Sequence, residues 1–219
     1  MRLMANYFLW IRPKRALRLG VRPGPASSRG RMLKLRLLRA MPKNQFRHRN
    51  ESRQSGNSSY ACPGGAMQQN TDLIDLLAAL NAEGAEYVIV GAYAFAFHGR
   101  PRATKDVDIF VGSDRDNAQR VWRALLTFGA PLSDLKPGDL SSPGTIYIMG
   151  RAPNQIDIIT SIDGITFEEA WAGRVASTYG GVPVNYIGRP ELILNKKTVG
   201  RPQDLADVAY LESPQGELP

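Results

Sequence analysis

The chain has little sulfur chemistry to offer. Its single cysteine, Cys62, cannot form an internal disulfide, and no cluster of His or Cys accompanies it, so thiolate metal binding is not expected and a reducing, cytoplasmic compartment is the expectation. No apolar run approaches the roughly 20 residues that a membrane-spanning helix needs. Acidic residues are nearly missing from the first 66 positions, which hold 15 Lys and Arg against one acid, Glu51, a formal +14. Of the chain's 28 basic and 20 acidic residues, positions 67–219 therefore carry 13 and 19, a formal −6. The net +8 belongs to the leader alone, and it supports no nucleic-acid argument for the remainder.

Residues 1–66 also lack apolar periodicity. Arg22-Pro23-Gly24-Pro25 and Ser55-Gly56-Asn57-Ser58-Ser59 cannot build a core, and disorder is expected there. Within the leader, Met32–Met41 (MLKLRLLRAM) reads as a brief basic amphipathic helix. Three readings of the leader stand: a charge-driven contact with nucleic acid or anionic lipid, an Arg-rich organelle transit peptide, or an upstream extension of the reading frame with the working protein starting at Met67. The third is preferred, because composition changes abruptly at that point. Residues 67–219 then form one globular domain.

What is present centres on Tyr87–Val111. A short apolar strand, Tyr87–Val90, breaks at Gly91 into an Ala-rich buried helix, Ala92–Phe97, which His98-Gly99 ends, with Gly99 expected to be left-handed. A basic loop with Arg100, Arg102, Thr104 and Lys105 leads into a second strand, Asp106–Val111. Strand side chains alternate, so Asp106 and Asp108 share one face while Val107, Ile109 and Val111 take the other. Strand formation does not ask for aspartate, and two neighbouring carboxylates repel. A bound Mg²⁺ would relieve the conflict; a solvated strand end is the plain alternative. Gly91 sits where backbone N–H groups at a helix start would face a phosphate. A third acid, Asp157, lies among isoleucines in the strand Gln155–Ile162, again with no packing reason.

This order of residues resembles the nucleotidyltransferase superfamily: a glycine with a small residue, a short helix, His-Gly, a basic loop with Thr, Asp-x-Asp, then a single later Asp. It is closest to small bacterial members similar to the toxin nucleotidyltransferases of type IV toxin–antitoxin systems. The run Asn195–Asp207, with Lys196 followed by Arg201-x-x-Asp204-x-x-Asp207, fits the same pattern. The resemblance spans roughly Met67 to Glu212. One departure is Gly91-Ala92, where the family usually has Gly-Gly or Gly-Ser; alanine removes a hydroxyl contact.

The resemblance implies an α/β (α+β) nucleotidyltransferase fold with a small mixed sheet, packed helices and a short helical C-terminal region. It implies Mg²⁺-dependent transfer of a nucleotidyl group from an NTP to a hydroxyl or phosphate on RNA or protein. Asp106, Asp108 and Asp157 would hold two Mg²⁺ ions, with Asp157 accepting the proton. Gly91, Ala92, Arg102, Thr104, Lys105 and Lys196 would bind the nucleotide. Asp204 and Asp207, on one helix face, would hydrogen-bond Arg201 or Lys196 from behind; the alternative is that they simply answer the helix dipole. His98 reads as a structural cap. A rival reading keeps the fold but drops catalysis: an interaction module, antitoxin-like, with a partner protein.

Elsewhere, Thr71 reads as an N-cap for a helix to Leu80 closed by Gly84, and Ser113-Asp114 caps Arg115–Phe128, whose stripe is Ala118, Val121, Trp122, Leu125 and Leu126. A helical turn is expected at Ser133–Leu135. Thr145–Met149 pairs antiparallel with the Asp157 strand across Gly150–Asn154. Thr166 caps a helix through Trp171. Arg174–Thr178 and Val182–Ile187 flank Tyr179-Gly180-Gly181 as a hairpin. Two helices, Arg189–Lys197 and Pro202–Leu211, complete the chain.

Overall fold

In the computed structural model, residues 36–39 and 70–213 are described. The element order is β1 (Arg36–Arg39), α1 (Thr71–Ala82), β2 (Tyr87–Ile89), α2 (Gly91–His98), β3 (Asp106–Val111), α3 (Arg115–Phe128), α4 (Pro137–Leu140), β4 (Thr145–Met149), β5 (Gln155–Ile159), α5 (Phe167–Ala172), β6 (Val175–Tyr179), β7 (Val182–Tyr186), α6 (Arg189–Val199) and α7 (Pro202–Glu212). The strands form one mixed sheet in the order β1-β4-β5-β3-β2-β7-β6. Pairs β2/β3, β4/β5 and β6/β7 are antiparallel, while β1/β4, β3/β5 and β2/β7 are parallel. This is the mixed α/β architecture expected from the sequence.

The core follows from spacing. Leu73, Leu76, Leu77 and Leu80 of α1 recur at three and four residues and are fully buried. They meet Ala118, Val121, Ala124 and Leu125 of α3, since α1 and α3 pack together. Trp122 lies partly buried beside them, but Leu126, assigned to the same stripe by spacing, is half exposed. Asn117 is buried within this layer. Its side-chain amide donates to the carbonyls of Glu86 and Gly112 and its oxygen accepts from Glu86 N at 2.7 Å, fastening the outer ends of β2 and β3.

Two local expectations change, the cap of α1 and the place of the helical turn, while the other caps and the hairpin hold. The cap of α1 is Asn70, not Thr71: Asn70 Oδ1 accepts from Leu73 N, and Thr71 is already helical. Asp114, with Oδ1 accepting from Asp116 N and Asn117 N, caps α3, and left-handed Gly129 ends it. The helical piece in the Pro/Gly/Ser-rich connection is α4, a few residues beyond the expected turn, where Pro137 starts it. Thr166 closes a capping box with Glu169. Gly180 and Gly181 both have positive φ, as a tight hairpin turn requires.

The leader also needs correction. Arg36–Arg39 lies inside the stretch expected to be disordered, and inside the segment expected to be helical, yet it is a strand pairing parallel with β4, Arg36 opposite Thr145 and Arg39 opposite Ile148. The edge of β4 offers a row of unpaired backbone groups, and that demand outweighs the weak helical pattern of the segment. The remaining expectations for residues 1–66, Cys62 among them, fall outside the described residues.

Candidate functional site

The site grows from one register. Strand β3 runs parallel to β5 with Asp106 opposite Gln155 and Asp108 opposite Asp157. Register partners on adjacent strands project to the same face, so Asp157 joins Asp106 and Asp108 on one side of the sheet. Val107, Ile109 and Val111 occupy the other side and are buried.

Gly91 sets the next boundary. It has φ +62°, and a Cβ placed there would stand 2.0 Å from Asp108 Oδ2. The Asp108 carboxylate therefore lies directly against the first residue of α2. Only glycine tolerates both the left-handed backbone and this approach. Gly99 was expected to be left-handed as well, but its φ is −138°. What excludes a side chain at Gly99 is the Tyr210 ring, 2.8 Å from where a Cβ would sit.

The acids are individually oriented. Thr104 Oγ1 donates to Asp106 Oδ1 and to the Asp106 carbonyl, both at 3.1 Å, so this threonine sets a carboxylate in place. Gln155 Nε2 donates to Asp157 Oδ1 at 2.8 Å. Gln155 escaped the sequence reading, although its position two residues before Asp157 on the same strand face was a usable signal. Burial pushes the Asp108 carboxyl up to about 7, and repulsion from Asp106 and then Asp157 adds to the rise; the attraction of Arg201 and Lys196 does not cancel it.

Among the described residues, no group of three or more His, Cys, Asp or Glu side chains is placed to hold a metal ion. The donor chemistry of the acid face nonetheless fits a hard divalent cation. The three acids offer only oxygens, and Asp108 is pressed toward its neutral form by burial and then by Asp106 and Asp157, a shift that added positive charge would oppose.

The basic residues divide. Lys196 is only 3% exposed, and its Nζ donates to Asp207 Oδ2 at 2.7 Å and Asp204 Oδ1 at 3.2 Å. Arg102 Nη2 reaches Asp207 Oδ2 at 3.2 Å, with its guanidinium 5.6 Å above the Phe95 ring. Asp204 and Asp207, both 2% exposed, thus hold Arg201, Lys196 and Arg102 between them, which is more than a dipole response of two helix acids. Phe95, beneath both Arg102 and Lys196, gave no sign of this in the sequence. Lys105 is exposed at the end of the loop, and Ala92 is half-buried in the first turn of α2. His98 Nε2–H donates to the Ile187 carbonyl at 2.6 Å, a tie between α2 and the end of β7.

No helix among the described residues is long and apolar enough to cross a membrane. Set against known proteins, the chain matches no family model and no curated sequence.

Proposed function

We propose that this chain is a Mg²⁺-dependent nucleotidyltransferase with a nucleotidyltransferase fold. It would transfer a nucleotidyl group from an NTP to a hydroxyl or phosphate of an RNA or protein acceptor. The observation that carries the reading is the placement of Asp108 and Asp157 as register partners, on one face with Asp106, against a left-handed glycine that starts a helix.

Asp106, Asp108 and Asp157 would hold the divalent ions, which supply positive charge to the triphosphate and lower the pKa of an attacking hydroxyl. The backbone N–H groups of Gly91 and Ala92 open α2, so their partial positive charge favours a phosphate beside the acids. Thr104 and Gln155 keep Asp106 and Asp157 from rotating away. Asp157 takes the proton of the acceptor hydroxyl. The acceptor oxygen then bonds to the α-phosphorus as the bond to pyrophosphate breaks.

The test incubates the full chain with Mg²⁺, each α-labelled NTP and candidate RNA and protein acceptors. Label appearing on an acceptor, and lost in Asp106→Asn and Asp157→Asn, is the expected result. Absence of transfer together with absence of Mg²⁺–NTP binding overturns the proposal.

A further inference from the structure

The sequence pattern offers Lys196 as the cation that meets substrate and leaves Arg201 behind it. The structure reverses their positions. Lys196 is sealed in, its ammonium committed to Asp204 and Asp207 and 5.8 Å from the Phe95 ring. To touch a nucleotide it would have to abandon two buried carboxylates. The Arg201 side chain is 73% exposed, while the carboxylate that holds it is 3% exposed. Its Nε donates to Asp204 Oδ2 and its Nη2 to Asp204 Oδ1, a two-point grip on one edge of the guanidinium. A guanidinium has five N–H donors, so three remain, two of them parallel along the Nη1/Nη2 edge. The anchor of Arg201, Asp204, is shared with Lys196, which lies 5.8 Å from the Phe95 ring of α2, the helix whose first residue lies against Asp108. Arg201 is within electrostatic range of Asp106 and Asp108.

We propose that Arg201 is the residue that receives the β- and γ-phosphates of the nucleotide, with Lys196 and Asp204 as the buried brace that aims it. The inference rests on the nucleotidyl-transfer reading and assigns the phosphate end of that substrate. A planar fork fixed by a carboxylate on one side presents parallel N–H groups that match two phosphate oxygens, which an ammonium cannot do. Its orientation is set before the ligand arrives, so little conformational entropy is lost on binding.

The experiment titrates the full chain calorimetrically with inorganic pyrophosphate, and separately with adenosine, in excess Mg²⁺. Arg201→Gln is expected to weaken pyrophosphate binding about ten- to a hundredfold, the worth of a charge-assisted hydrogen-bond pair, and to leave adenosine binding unchanged. Its thermal unfolding should move little, because Asp204 keeps Lys196. Arg201→Lys, which retains the charge and the fold, should bind pyrophosphate several-fold more weakly than the parent. Parental pyrophosphate affinity in either variant, while the parent chain still labels an acceptor, overturns this assignment and leaves the nucleotidyl-transfer reading standing. A parent chain that neither binds Mg²⁺-pyrophosphate nor transfers label overturns both.

Discussion

Five aspartates stand close to one another in this protein, and they are treated in two opposite ways. Asp204 and Asp207 on α7 are almost fully buried, yet every charge is answered: Lys196 lies between them, Arg201 clasps one and Arg102 reaches the other. The carboxyl of Asp204 is held below the usual carboxylate range because its bonds to Arg201 and Lys196 outweigh the cost of burial. Asp106, Asp108 and Asp157 share a face with one another, and the Asp108 carboxyl is driven upward to about 7. The same residue type is therefore a fastener in one place and, at Asp108, a carboxyl pressed upward by burial and then by its acidic neighbours. A bound cation, on the nucleotidyl-transfer reading proposed above, would relieve the pressure on Asp108.

The largest way to break the contrast is on the balanced side. Lys196→Met leaves Asp204 and Asp207 buried with a partner missing, and should cost about 3–5 kcal/mol in denaturant unfolding. An effect below about 1 kcal/mol would show that the ion cluster does not brace the C-terminal helices.

On the unbalanced side the sign inverts. Asp108→Asn should stabilise the metal-free protein by about 2–4 kcal/mol at pH 8, given about 1.4 kcal/mol per pKa unit, while abolishing transfer. The pH dependence follows from linkage. A carboxyl raised from 3.8 to about 7 carries no penalty below its unfolded pKa; the penalty grows as pH rises through that window and is complete above 7. The stabilisation by Asp108→Asn should therefore shrink toward zero near pH 4, and Mg²⁺ should raise the melting temperature of the parent more at pH 8 than at pH 5. Should the parent chain show no transfer while Asp108→Asn still stabilises it, a non-catalytic interaction module becomes the better account.

Gly91→Ala sharpens the link between the acids and α2. The left-handed backbone and a Cβ 2.0 Å from Asp108 Oδ2 should together cost about 2–3 kcal/mol. Pairing it with Asp108→Ala should recover the steric part, and a cycle showing additivity would contradict the contact. The smallest effect is a surface reference: Arg123→Ala, which removes the 2.7 Å pair with Glu83, should change stability by less than about 1 kcal/mol.

Much of the acid face was legible because its cues are local. Alternation placed Asp106 and Asp108 together, and glycine at a strand–helix junction marked Gly91. The alliance with Asp157 is of another kind: the parallel pairing of β3 with β5 joins residues nearly fifty positions apart, and only the oddity of an acid among isoleucines hinted at it. The burial of Lys196 was not legible, because a lysine in a charged helix carries no mark of it until a second helix closes over it. Arg36–Arg39 was misread because so short a basic segment carries weak helical and strand patterns alike, and the open edge of β4 decided between them.

Tyr210, near the end of α7, lies against the backbone of Gly99, edge-on to Phe95 at 5.8 Å and beneath Arg100 at 5.0 Å. The segment leading into the first two acids is thus gripped by a side chain more than a hundred positions downstream. On the ribosome, that segment has no final partner until Tyr210 has been made. A chain stopped between β5 and Tyr210 would carry Asp106, Asp108 and Asp157 without the aromatic grip on the segment that leads into the first two.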